Sequence, residues 1–158
     1  MNREACMHHS PFSDDADYGP GLFEAITGHF ANGASIDSFD AATQMFLSVQ
    51  DNLQRILNSR RCGLAHVPDY GLGDLSEIYR HLPSSAHQLR REIEMTLLKY
   101  EPRIKSIDIV IEATEPGMLL TFTLDCQLYR AGLVRFGTHF MPDGRTRLTL
   151  LKAARDRA

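Results

Sequence analysis

Between Tyr100 and Ile107 the spacing of apolar residues changes from three or four to two, and this switch limits the fold more than any other feature of the chain. On its amino-terminal side Ala42, Met45, Phe46, Val49, Leu53, Ile56 and Leu57 recur at helical steps. A helix over about Phe39 to Ser59 therefore has one face to bury, with Asp37 or Ser38 as its cap. Ala86, Leu89, Ile93, Leu97 and Tyr100 form a second stripe. On the carboxyl side Ile107, Ile109 and Ile111 alternate with polar residues, as do Leu120, Phe122, Leu124, Cys126 and Leu128. Val134, Phe136 and Phe140 share a face, and Leu148 and Leu150 share another. Turn signals at Glu115-Pro116-Gly117, Ala131-Gly132 and Pro142-Asp143-Gly144 separate these four strands. Consecutive strands with short turns and one apolar face make an antiparallel meander, and that face must be covered. The expected fold is α+β, an antiparallel four-stranded meander with helices packed on one face.

At 158 residues the chain is long enough for one sizeable core and short for two. Residues 1–21 are polar and turn-rich and read as a flexible N-terminal arm, residues 22–151 as a single domain, and residues 152–158 as a polar C-terminal tail. "LFEAITG", Leu22 to Gly28, has the pattern of one or two amphipathic turns closed by a glycine. Its Leu22, Phe23 and Ile26 need cover, and the expectation is that they tuck onto the domain. Arg60 to Asp74, with its Pro68-Asp69-Tyr70-Gly71 turn, reads as a long loop. Asp74-Leu75-Ser76-Glu77 and Ser85-Ala86-His87-Gln88 have capping-box spacing and open two further helices, the first limited by Pro83.

A formal net charge of -3 sets up no field that would gather nucleic acid, and no apolar run reaches membrane-spanning length. Met1 to Tyr18 lacks the basic flank and apolar stretch of a signal peptide. Cys6, Cys62 and Cys126 are odd in number and widely spaced, which fits reduced thiols and a cytoplasmic location. No Gly-rich phosphate loop, HExxH or GxSxG occurs, so the common nucleotide and hydrolase signatures are missing. Cys6, His8 and His9 are too crowded on a polar arm to make a metal site, and no cofactor is implied. A glycoside hydrolase needs only two carboxylates, which Glu112 with Glu115, or Glu101 with a loop partner, could supply. Surface carboxylates are the simpler explanation for a chain with no tryptophan to line a sugar cleft.

The seam itself reads Glu101-Pro102-Arg103. Pro102 has no amide hydrogen and disfavours helical geometry at Glu101, so the helix should finish at about Tyr100. An acid at the negative end of a helix dipole needs compensation, which Arg103 can supply by folding back. Alternatively a rigid proline corner holds acid and guanidinium outward as a docking point for another protein. Physics alone leaves both readings open.

Four tags in order, "LFEAI" (Leu22–Ile26), "ILNSRR" (Ile56–Arg61), "DYGLGDLS" (Asp69–Ser76) and "YEPRI" (Tyr100–Ile104), resemble the TssE family of type VI secretion baseplate wedge subunits, itself similar to a lysozyme-related wedge protein of contractile phage tails. The likeness runs from about Leu22 to Leu151. It implies a structural, non-catalytic protein in a cytoplasmic baseplate, binding other wedge subunits and supporting the contractile sheath, without nucleic acid or direct membrane contact. It also implies a partner-binding role for Glu101, Pro102 and Arg103, and suggests Leu22, Phe23, Arg60 and Arg61 as further contacts. On this reading the charges of the seam face outward, and Arg103→Ala leaves a folded monomer that loses its partners. A lysozyme-like hydrolase acting on peptidoglycan and a wedge subunit of a contractile phage tail are the alternatives.

Overall fold

A computed structural model describes residues 19–113, 116–129 and 131–154. The expected meander is present. Helices α1 (Leu22–Thr27), α2 (Ala41–Asn58), α3 (Leu75–Arg80) and α4 (Ala86–Tyr100) precede strands β1 (Ile104–Glu112), β2 (Leu120–Leu128), β3 (Gly132–Phe140) and β4 (Thr146–Ala154). The sheet order is β1-β2-β3-β4 and every pairing is antiparallel. Helix α4 lies on β1, α2 on β4, and the two helices touch.

The period-two alternation decides which face the helices cover. Leu120, Phe122, Leu124, Cys126, Leu128, Val134, Phe136 and Phe140 form one core with Val49, Leu53, Ile56, Leu89, Ile93 and Leu97. The register puts Ile109 beside Leu124 and Leu124 beside Phe136, so each apolar row continues across the sheet. Phe122 and Phe140 meet edge to face, with ring centroids 5.6 Å apart. On the opposite face Asp125 holds Arg135 through two hydrogen bonds of 2.6 Å.

Several boundaries differ from expectation. Helix α2 begins at Ala41 because Ile36–Ser38 form a separate 3-10 turn and Phe39 is extended, stacking edge-on against Phe30. Asp74 caps α3 as its sequence implies, accepting the Ser76 amide at 2.9 Å. Ser85 does not cap α4. Its backbone is already helical, and its hydroxyl donates instead to the Ile78 carbonyl, tying α4 to α3. Residues 152–154, expected to belong to the tail, end β4, which runs to Ala154 opposite Leu133; residues 155–158 lie outside the described part. So does the arm up to Tyr18 with Cys6, His8 and His9, while Gly21 is fixed by a hydrogen bond from its amide to the Ser48 hydroxyl.

One glycine is indispensable to this packing. Gly71 has φ 93°, and a Cβ there would sit 2.2 Å from the Ser59 carbonyl oxygen, where the long loop returns to the end of α2. That return brings Leu72 into the core and sets Tyr70 edge-on to Tyr100, 5.0 Å between centroids.

Candidate functional site

The seam residues are not an exposed charged corner. Glu101 is 0% exposed and Arg103 9%, and only Pro102 of the three is open to solvent. Arg103 folds back as a fork: its Nε donates to Glu101 Oε1 at 2.8 Å and its Nη2 to Oε2 at 2.7 Å. Its main-chain amide also donates to Oε1, at 3.1 Å. Asn52 Nδ2 completes the shell of Oε2 at 2.9 Å. The expectation of outward-facing charges is therefore corrected. The proline breaks the helix at Glu101, and the chain turns sharply enough for residue 103 to reach the side chain two positions before it.

The network continues into the amino-terminal segment. Arg103 Nη1 donates to Ser48 Oγ at 2.8 Å, and Ser48 in turn donates to Glu24 Oε2 at 3.0 Å while accepting the Gly21 amide at 2.8 Å. Arg55 Nη2 donates to Glu24 Oε1 at 2.8 Å. Burial alone would push the Glu24 carboxyl up. The hydrogen bonds from Arg55, its own amide and Ser48, with the Arg55 charge, outweigh it and hold the group below the usual carboxylate range.

Anchoring α1 by its acid inverts the turn. Glu24 is 2% exposed, whereas Leu22, Phe23 and Ile26 are 77%, 65% and 76% exposed. The expectation that these apolar side chains tuck onto the domain is overturned, because the side of α1 that meets α2 is the one carrying Glu24. Only Phe23 leans back, its ring lying 5.0 Å from the Arg55 guanidinium carbon.

Beside this turn runs a groove of about 470 Å³, bounded by Pro20, Leu22, Phe23, Arg55, Tyr70 and Pro102 among others. Five of the seven expected contact residues, Leu22, Phe23, Glu101, Pro102 and Arg103, thus line one groove. Arg60 and Arg61 do not. Arg61 pairs with Glu92 Oε1 at 2.9 Å and donates its amide to the Leu72 carbonyl, while the Arg60 guanidinium lies against the Gly144 turn. Both hold the long loop in place. Among the described residues no group of His, Cys, Asp and Glu side chains is arranged to hold a metal.

Sequence reasoning missed Glu24, Ser48, Asn52 and Arg55 as members of the network. The signal was available: Ser48, Asn52 and Arg55 sit four and three residues apart, a polar line on α2 parallel to its apolar stripe.

Fold and site together define a small α+β protein whose buried charges pair with one another beside an exposed, largely apolar groove. The comparisons agree with that class. The family described as baseplate wedge protein gp25 matches residues 43–132, more than half the chain. Among solved structures, a chain of the baseplate complex from the type VI secretion system is 32% identical, superposes with a TM-score of 0.53, and is matched over 98% of its length and 71% of this one. No curated protein sequence matches. The chain belongs to the baseplate wedge family, and its role is that of a structural baseplate component.

Proposed function

We propose that this chain works in the cytoplasm as a joint of a type VI secretion baseplate, docking a neighbouring wedge subunit on the groove between α1 and Pro102 and supporting the contractile sheath through a margin of its sheet. The observation that carries the reading is the buried network from Glu101 to Glu24, which holds Leu22, Phe23 and Ile26 out of the core beside that groove. Three apolar side chains kept in water on one helical turn are unfavourable unless something covers them, at about 25 cal/mol per Å² of apolar surface. Glu101 and Arg103 act by fixing the corner, and Pro102 by presenting it.

The groove also favours one kind of occupant. Pro20 and Pro102 have no amide hydrogen, and the amides of Gly21 and Arg103 are already given to Ser48 and Glu101. A strand laid there would find few main-chain partners, so the occupant is a segment with its own hydrogen bonds satisfied, a helix presenting apolar side chains. Catalysis fits poorly. Both oxygens of Glu101 are occupied by Arg103 and Asn52, so that acid is not poised to exchange a proton with a substrate. Phe23→Asp tests the reading. The variant loses at most the Arg55 contact, about 0.5–1 kcal/mol, and so melts within ~4 °C of the parent, yet fails to retain baseplate subunits when purified from cells. Undiminished retention contradicts it, as does turnover of peptidoglycan by the parent protein.

A further inference from the structure

The two margins of the sheet are not equivalent. In β4 the main-chain groups of alternate residues point away from β3. Those of Thr146 and Leu148 are met by side-chain amides from α2. Asn58 Oδ1 accepts the Thr146 amide at 2.9 Å and Asn58 Nδ2 donates to the Thr146 carbonyl at 2.8 Å. Gln54 also donates to that carbonyl, and its Oε1 accepts the Leu148 amide at 2.7 Å. Gln50 Nε2 reaches the Leu148 carbonyl at 3.4 Å. These three residues recur every fourth position, one helical turn at a time, so their amides rise along the helix in step with the strand.

On β1 the outward phase is marked by the Ile109 carbonyl, which Arg90 Nη1 approaches at 3.5 Å. Among the described residues no partner meets the outward groups of Ile107 and Ile111 on either side of it. A margin met at one carbonyl alone is a template for pairing with another chain.

We propose that Gln50, Gln54 and Asn58 are specificity residues that stand in for a fifth strand along Thr146 to Leu148, closing the first half of the β4 margin and favouring strand addition at β1. Side-chain amides present the donors and acceptors of a peptide group, so they occupy the sites an incoming strand would use. The competitor they exclude is a second copy of this chain. Two β4 strands are self-complementary in antiparallel register, and Leu150 and Leu151, 40% and 56% exposed, would gain cover from such pairing. The assignment of β1 as the accepting margin rests on the proposed sheath contact; the closure of β4 does not.

The test uses the purified full chain. Gln54→Ala with Asn58→Ala should speed hydrogen exchange at Thr146 and Leu148 about tenfold, as expected for loss of a single hydrogen bond. In light scattering over a concentration series, the variant should dimerise at a concentration at least about tenfold below that of the parent, on the same scale. Gln54→Met, which keeps the helix propensity and length of the side chain, repeats the measurement if the double variant fails to fold. Thr146→Pro, at the first residue of the strand and with its amide facing the margin, should reverse the association in either background. Unchanged exchange, association no tighter than the parent's, or a dimer that survives Thr146→Pro each overturns the proposal. Retention of sheath and wedge partners by the parent chain is scored separately and reports on the proposed function alone.

Discussion

Replacing Arg103 by alanine separates an internal clamp from an external contact. Arg103 makes three side-chain hydrogen bonds, two to Glu101 and one to Ser48, and every one joins a buried group. After the substitution Glu101, 0% exposed, keeps only Asn52 and the amide of residue 103 as donors. Breaking a buried ion pair from one side costs about 3–5 kcal/mol, because the remaining charge is left uncompensated. Each kcal/mol moves the melting temperature of a domain this size by ~2–4 °C, so the drop should be roughly 6–20 °C. Urea unfolding followed by circular dichroism gives the free energy directly. The paired variant Glu101→Leu/Arg103→Met removes both charges and should lie within ~2 kcal/mol of the parent, which a clamp predicts and an exposed docking pair does not. A single variant that loses less than ~1 kcal/mol, or a paired variant as unstable as the single one, refutes the reasoning, since either result means the charges were never desolvated together.

Glu24→Gln should loosen α1 from α2 with little effect on the core, read as about tenfold faster exchange at the Ala25 and Gly28 amides. The lowered carboxyl of Glu24 fixes the sign with pH: the parent's advantage over this variant is fully present above the ordinary carboxylate value of 4.5 and fades as pH falls through the depressed one, so the two should converge in acid. Gly71→Ala should destabilise by more than ~1 kcal/mol, since it meets the Ser59 carbonyl as well as the left-handed backbone. Gly33→Ala, with φ 83° and nothing within 4 Å, bears the backbone penalty alone and should melt higher than Gly71→Ala. Burial pushes the Cys126 thiol up to about 12, so at pH 8 a disulfide reagent should label exposed Cys62 at once and Cys126 only on unfolding.

The sheet was legible because its signal is local. Alternation in Leu120 to Leu128 and the break at Pro102 carry the strand, its buried face and the end of α4 in contiguous residues. The core stripe of α2 was legible for the same reason. What short-range patterns could not carry was the sense of the charges at the seam. Whether Arg103 points out or in depends on Ser48 and Asn52, about fifty positions away, and a dipeptide spacing holds no record of them. Nor does the pattern of Leu22 to Ile26 say which side of the turn meets the domain. Hydrophobicity argues for the apolar side, and the Glu24 carboxylate, bonded to Arg55 and Ser48, takes that place instead. The pairing of Gln50, Gln54 and Asn58 with β4 spans still longer separations and was invisible for the same reason.

The central claim, that a buried ion network holds an apolar turn outward for a neighbouring subunit, is tested most directly by hydroxyl-radical footprinting of Leu22, Phe23 and Ile26 in the free chain and in the assembled baseplate. Strong labelling of all three in the free chain and protection of all three on assembly are predicted, as the apolar surface leaves water. Equal labelling in both states would contradict the account, and so would side chains already protected when the chain is alone.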